Sequence, residues 1–309
     1  MTATGFTRIG FIGLGVMGEP ICRNLARKSG LPVKALDTDP APLARLGADG
    51  VQAGADIADI ARTCDIVFLS LPSGEVVEQV ARQPGGLLAG ARAGQVIVDL
   101  STSDVAMTRA LAADFAAAGA LLIDAPVART RAAAEAGTLS VMVGADAAGF
   151  EQVRPLIATF ATEISLCGPV GCGQVVKILN NMVLFETVVA LSEARAIGER
   201  AGVDAALLFE TLAKGSADSF ALRNHGLKAI VPGDFPERAF SVRYAHKDLR
   251  YALALARQTG VDARGARVVD AWFGQAVDQG EGERYHPVIS RVIGATGDAA
   301  GTDDSSAAR

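Results

Sequence analysis

An apolar run, Arg8–Ile12, leads directly into Gly13-Leu14-Gly15-Val16-Met17-Gly18, and a helix-forming stretch, Val16–Lys28, follows. A G-x-G-x-x-G between a strand and a helix constrains the fold more than any other segment of the 309 residues. The first glycine permits a tight turn, the second lets backbone amides approach a ligand, and the third lets the helix pack close on the sheet. The motif therefore predicts the first β-α-β unit of a parallel sheet. Its loop, Gly13, Gly15, Val16, Met17 and Gly18, would receive a pyrophosphate at the positive end of the helix.

The rest of the first half keeps that grammar. Apolar runs at Val33–Leu36, Ile66–Leu69, Val96–Asp99, Leu121–Asp124, Leu139–Val143 and Glu163–Leu166 read as strands, most of them covered on both faces. Pro40–Leu46, Gly74–Ala81, Asp104–Ala118 and Ala147–Phe160 read as the helices between them. Alternating strands and helices mean a doubly wound α/β sheet. After the glycine-rich Cys167–Gly173 the pattern becomes purely helical. The stretch from Gly171 to Arg200 would make a helix of roughly 45 Å at 1.5 Å per residue, long enough to join two halves. Helices at Asp204–Ala213, Ser241–Gln258 and Ala263–Gln279 follow. The expected fold is an N-terminal Rossmann-type sheet domain, 1–168, then an all-α substrate and oligomerisation domain, 169–296. A polar, small-residue stretch, 297–309, is expected to be a disordered tail.

Composition excludes several functions. The net charge is −5, with 29 basic and 34 acidic residues, so no basic footprint points to nucleic acid or an anionic membrane. The four cysteines show neither zinc spacing nor a disulfide framework, which fits a reducing cytoplasm. The most apolar later stretch, Val175–Leu191, carries Lys177, Asn180, Asn181 and Glu186 and does not read as a membrane span. His225 and His286 read as surface residues, and no trio of metal ligands is apparent.

Two positions carry further chemistry. Asp37 stands at the end of the second strand, 19 residues after Gly18. A carboxylate there accepts ribose hydroxyls and repels a 2′-phosphate, so NAD is expected over NADP. Lys177, Asn180 and Asn181 share one face of the long helix. The residues alone leave two readings open. The lysine could snorkel to a wet helix edge, or it could be partly desolvated among amides and serve acid–base chemistry.

The motifs together resemble the β-hydroxyacid dehydrogenase family, which includes 3-hydroxyisobutyrate dehydrogenases and tartronate semialdehyde reductases. The resemblance runs to about residue 290. It rests on GFIGLGVMGEP, DLSTSD at Asp99–Asp104, GPVGCGQVVKILNN at Gly168–Asn181, and HKDL at His246–Leu249. It implies that Lys177 is the acid–base residue and that Asn181 holds the substrate. It also implies that Ser101 and Thr102 contact substrate and nicotinamide, that Lys247 reaches the cofactor, and that Leu71 and Pro72 lie along its adenosine side. One block departs from the family: Asp124–Thr130 reads DAPVART, with Ala128-Arg129-Thr130 where Ser-Gly-Gly is usual. Arg129 and Thr130 there are similar to the sulfolactaldehyde reductase branch, as is the doubled asparagine, Asn180-Asn181.

The resulting expectation is an NAD-dependent dehydrogenase or reductase of a small anionic hydroxy acid or hydroxy-sulfonate and its semialdehyde. The resemblance further implies a homodimer or homotetramer. Alternatives are a semialdehyde reductase without sulfonate preference, an imine reductase, and a silent NAD-binding regulator. Lys177 and Asp37 argue against the imine reductase. The set Lys177, Asn181, Ser101 and Lys247 argues against the silent regulator.

Overall fold

The computed structural model describes residues 5–237 and 239–295. The expected tail, 297–309, lies outside the described residues. The chain divides into two compact units, with the division between Lys177 and Ile178.

The first unit holds nine strands: β1 (Ile9–Ile12), β2 (Val33–Leu36), β3 (Gln52–Ala53), β4 (Ile66–Leu69), β5 (Val96–Asp99), β6 (Leu121–Asp124), β7 (Val127–Ala128), β8 (Leu139–Gly144) and β9 (Ala161–Gly168). Its helices are α1 (Gly18–Lys28), α2 (Pro40–Leu46), α3 (Ile57–Thr63), α4 (Gly74–Arg82), α5 (Val105–Ala117), α6 (Arg131–Ala136) and α7 (Ala147–Ile157). The sheet order is β3-β2-β1-β4-β5-β6-β8-β7, with β9 paired to β8. From β3 to β6 every pairing is parallel, whereas β8 runs antiparallel to β6 and β7.

Every residue of β1, β4 and β5 is buried, which is why these strands read as continuous apolar runs. Their side chains alternate between two cores. Ile66 and Phe68 join Ile21 and Leu25 of α1 and Val153 of α7 on one face. Val67 and Leu69 join Ile60 of α3, Val77 of α4 and Leu111 and Phe115 of α5 on the other. Helices thus cover both faces of a doubly wound sheet. The order reverses direction between β1 and β4, and ligands bind such sheets at the strands' carboxyl ends near that point. The register sets Ile12 beside Leu69, Leu69 beside Asp99, and Asp99 beside Asp124. The loops beginning at Gly13, Ser70, Leu100 and Ala125 therefore stand in a row along one crest.

The long helix α8 (Cys172–Arg200) crosses the division between the units. Beyond it the second unit contains α9 (Ala205–Leu212), a π-helix over Leu222–Ile230, α10 (Val242–Thr259), α11 (Arg264–Asp278) and, after a 3₁₀ turn, α12 (Ile289–Ala295). Phe185, Phe209, Leu249 and Phe273 centre its core. His225 and His286, expected at the surface, are 7% and 0% exposed and belong to this interior. Phe185, Phe240, Phe273 and Tyr285 surround the His286 ring. The aromatic neighbours supply apolar contact that outweighs the imidazole's preference for water.

Candidate active site

The glycine loop shows directly which glycines serve the fold and which leave room. Gly13 has φ +95°, and a Cβ on it would lie 2.3 Å from the Ser70 carbonyl oxygen. A Cβ on Gly18, the first residue of α1, would lie 2.0 Å from the Gly13 carbonyl oxygen. Both must be glycine for the turn to close. A Cβ on Gly15 would meet nothing within 4 Å. Space that the chain itself does not fill is what a pyrophosphate needs there. Val16 beside it is 52% exposed, and Met17 packs against the sheet core. No side chain caps the first turn of α1; the Glu19 N–H bonds the Gly15 carbonyl oxygen and Pro20 has no N–H, so the Gly18 N–H at the helix start is the amide left for an anion. Asp37, just past β2, accepts the Leu14 N–H through Oδ2 and the Asp39 N–H through Oδ1. The loop geometry thus suits a dinucleotide, with the carboxylate held at the expected ribose position.

The next loop on the crest is tightly bonded. Ser101 and Thr102 are buried. The Ser101 hydroxyl accepts the Leu71 N–H at 2.9 Å, and Pro72 beside it is exposed. The Ser101 N–H donates to Asp99 Oδ1 at 2.9 Å. Asp99 and Asp124 sit side by side at the ends of β5 and β6. Burial pushes both carboxyls up to about 6. Asp124 accepts the Gly171 N–H at 2.6 Å and the Gln174 N–H at 2.8 Å, and so holds the start of α8. Lys177, three residues further on, is half-buried.

In the second unit Asn181 is buried and donates through Nδ2 to Asp248 Oδ2 at 2.8 Å. Asn180 is exposed and donates to Asn181 Oδ1 at 3.2 Å. The other Asp248 oxygen pairs with Lys247 Nζ at 3.0 Å. That ammonium also lies 4.3 Å from the Tyr244 ring centroid. Asp248 is 1% exposed, and its carboxylate holds two of the expected site residues, Asn181 and Lys247, at once. His246, the neighbour of Lys247, bonds Asp270 at 2.7 Å.

Arg129 and Thr130 have other local partners. The Arg129 guanidinium donates to the Thr138 carbonyl oxygen and to Thr162 Oγ1, and the Thr130 hydroxyl caps α6 at the Ala133 N–H. Among the described residues Arg129 is the only non-glycine residue with positive φ, at 87°. Three residues that the motifs do not single out carry much of the bonding: Asp124, Gln174 and Asp248. Each lies inside a recognisable block, but nothing in its own spacing marks it.

Residues 8–168 match the NAD binding domain of 6-phosphogluconate dehydrogenase. Residues 171–293 match the NAD-binding region of NADP-dependent 3-hydroxyisobutyrate dehydrogenase. The chain is 39% identical to 2-(hydroxymethyl)glutarate dehydrogenase of Eubacterium barkeri, over 82% of this chain and 84% of that one. It is 37% identical to 3-hydroxyisobutyrate dehydrogenase of Pseudomonas aeruginosa, over 81% and 86%. The solved structure of Mycobacterium tuberculosis 3-hydroxyisobutyrate dehydrogenase with L-serine superposes with a TM-score of 0.84 at 30% identity, covering 93% of this chain and 99% of that one. With both halves matched in order, the chain belongs to the β-hydroxyacid dehydrogenase family of NAD(P)-dependent oxidoreductases.

Proposed function

We propose that this chain uses NAD to interconvert a small 3-hydroxy acid or hydroxy-sulfonate and its semialdehyde, with Lys177 as the acid–base residue. The observation that carries the substrate reading is Arg129. A left-handed conformation costs a side-chain-bearing residue about 1–3 kcal/mol, and such strain concentrates where function requires it. Both of its bonds to the protein leave from Nη1. The Nε–Nη2 edge therefore remains for a planar or tetrahedral anion, which guanidinium binds in bidentate fashion. Thr130, Asn180 and Asn181 complete the proposed substrate set with Ser101.

The proposed cofactor residues are Gly13, Gly15, Val16, Met17, Gly18, Asp37, Leu71, Pro72, Thr102 and Lys247. The dinucleotide, when bound, supplies or accepts the hydride. Lys177 gives a proton to the substrate oxygen as negative charge grows there, and takes it back in oxidation. Asn181, held by Asp248, and Ser101, held by Leu71 and Asp99, orient the reacting groups so that the transfer becomes effectively unimolecular. Asp37, followed by Thr38 and Asp39, disfavours a 2′-phosphate and supports NAD over NADP.

Free cysteines at all four positions support a cytoplasmic setting. An exposed apolar face on α8, with Val183 57% and Ile197 69% exposed, supports a homodimer or homotetramer.

The test is a panel of sulfolactaldehyde, succinic semialdehyde and tartronate semialdehyde with NADH and NADPH, and of 3-hydroxyisobutyrate and L-serine with NAD and NADP. The expected result is the highest kcat/KM for a compound with a distal anion, with NADH preferred at least tenfold. No turnover of any panel member, or a preference for NADPH, would overturn it.

The bonds from Arg129 to Thr138 and Thr162 favour a second reading, in which the arginine only straps its loop and any semialdehyde is accepted. Arg129→Gly separates the two. Relief of the left-handed strain offsets the roughly 0.5–1 kcal/mol that an added glycine costs through the unfolded chain and part of the loss of the bonds to Thr138 and Thr162. Tm should stay near the wild-type value while KM for the best anionic substrate rises at least tenfold. An unchanged KM would leave only the strap.

A further inference from the structure

We propose that Gln174 is a positioning residue for the reaction: its side chain locks the Ser101–Ser103 loop to the first turn of the helix that carries Lys177. The inference rests on the reading of Lys177 as the acid–base residue.

Gln174 is 0% exposed, and a primary amide is costly to bury unless both of its ends are matched. Here both are. Its Oε1 accepts the Ser103 N–H at 3.0 Å, and its Nε2 donates to the Ser101 carbonyl oxygen at 2.8 Å. The two partners are backbone groups of opposite kind, two residues apart, so the amide fits in one orientation only. Bonds to main chain fix where Ser101 and Thr102 stand regardless of their rotamers. The base of Gln174 is equally constrained, because its own N–H and that of Gly171 donate to the Asp124 carboxylate.

The loop is gripped from the opposite side as well. Asp99 accepts the Ser101 N–H and, at 3.1 Å, the Ser103 hydroxyl. Asp99 ends β5 and Asp124 ends β6, in register. One rigid pair of strands therefore anchors both the loop and the helix start, and Gln174 closes the circuit between them. The close approach depends on Gly173, where a Cβ would lie 2.3 Å from the Met142 carbonyl oxygen and 2.8 Å from Asp124 Oδ2. Lys177 follows Gln174 by three residues, about 4.5 Å along the helix axis at the standard rise. A displacement of the helix start relative to the loop would be carried directly to Lys177. A misplacement of about 1 Å at a reacting centre costs roughly a hundredfold in rate.

The experiment uses Gln174→Met, similar in length but without the donor and acceptor, and Gln174→Glu, which sets an acceptor against the Ser101 carbonyl oxygen. Active sites are counted by NADH fluorescence titration. Turnover is measured with the panel semialdehyde of highest kcat/KM, and NADH deuterated at the transferred hydrogen gives the isotope effect. The expected result for either variant is a kcat per NADH-binding site down about a hundredfold, an NADH Kd within threefold of wild type, and a larger primary isotope effect. If a variant folds with a lower Tm but keeps kcat per site and isotope effect, Gln174 is only a packing residue and the inference falls. If Gln174→Glu does not fold, Gln174→Met decides. Lys177→Ala, run alongside, separates the two readings. If it keeps more than a tenth of the wild-type rate, the Lys177 reading fails and this inference with it. If Lys177→Ala is inactive and Gln174→Met is unaltered, only the inference is lost.

Discussion

Lys177→Ala should lower kcat by about a thousandfold while leaving the Kd for NADH within threefold, because a positioned proton donor typically contributes 10²–10⁴ in rate. The lysine is half-buried on α8, three residues beyond the Asp124 carboxylate's grip on Gln174. On the proposed reading, removing its amine takes away the proton that would neutralise the growing alkoxide, while the sequence of the Gly13–Gly18 loop is unchanged. Lys177→Arg makes the argument sharper. A guanidinium preserves the positive charge but does not release a proton at any working pH. If charge alone stabilised the oxygen, Lys177→Arg would recover much of the rate. If proton transfer is the role, it should be nearly as slow as the alanine variant. Retention of more than a tenth of the wild-type rate by Lys177→Ala removes the assignment.

The sheet was legible because its strands are covered on both faces and so carry continuous apolar runs. Val33–Leu36, Ile66–Leu69, Val96–Asp99 and Leu121–Asp124 form with the boundaries read from sequence. What escaped was short. α3 and α6 span Ile57–Thr63 and Arg131–Ala136, about two turns or less, too brief for a helical period to emerge and without the proline that opens the equally short α2 at Pro40. Their caps, Asp56 on the Asp59 N–H and Thr130 on the Ala133 N–H, were the available signal. The π-helix over Leu222–Ile230 escaped because tertiary contact shapes it: a Cβ on Gly226 would lie 2.8 Å from the Phe209 ring. The glycine loop, Asp37 and the Lys177 helix were legible because they are local patterns. Gln174 and Asp248 were not, because their roles are defined by partners far away in sequence. Gln174 meets Ser101 across 73 residues, and Asp248 meets Asn181 across 67. No spacing rule within one segment reaches that far.

Acidification should weaken the second unit first, and His286→Phe should suppress the effect. His286 has both ring nitrogens buried without a hydrogen-bond partner, and His225 lacks one at Nε2. The other His225 nitrogen meets the Tyr285 hydroxyl. Burial lowers His225 from the usual 6.5 to about 4, and pushes His286 well below its usual value, with His225 adding to the effect. A base whose folded pKa is depressed leaves the unfolded chain binding more protons between the two pKa values. Unfolding therefore becomes easier as pH falls below about 6.5. At up to about 1.4 kcal/mol per pH unit for each group, and half that at pH 6.5 where the unfolded imidazole is half protonated, two such histidines remove roughly 3 kcal/mol between pH 6.5 and 5. That is a large part of the 5–15 kcal/mol by which domains are ordinarily stable. Glu186, raised by burial, acts in the opposite sense. In the first unit, Asp99 and Asp124 are raised to about 6, so the folded state binds the extra protons between about 6 and 4. Those two carboxyls make that unit more stable over the same window. Hydrogen exchange at pH 7.5 and 5, corrected for intrinsic rates, reads the two units separately. Protection of α10 and α11 should fall on acidification while protection of β1, β4 and β5 holds or rises. His286→Phe places an apolar ring among Phe185, Phe240 and Phe273 and should remove about half of the loss in α10 and α11. Equal losses in both units, or an undiminished loss in His286→Phe, would show that these buried imidazoles do not govern the acid response.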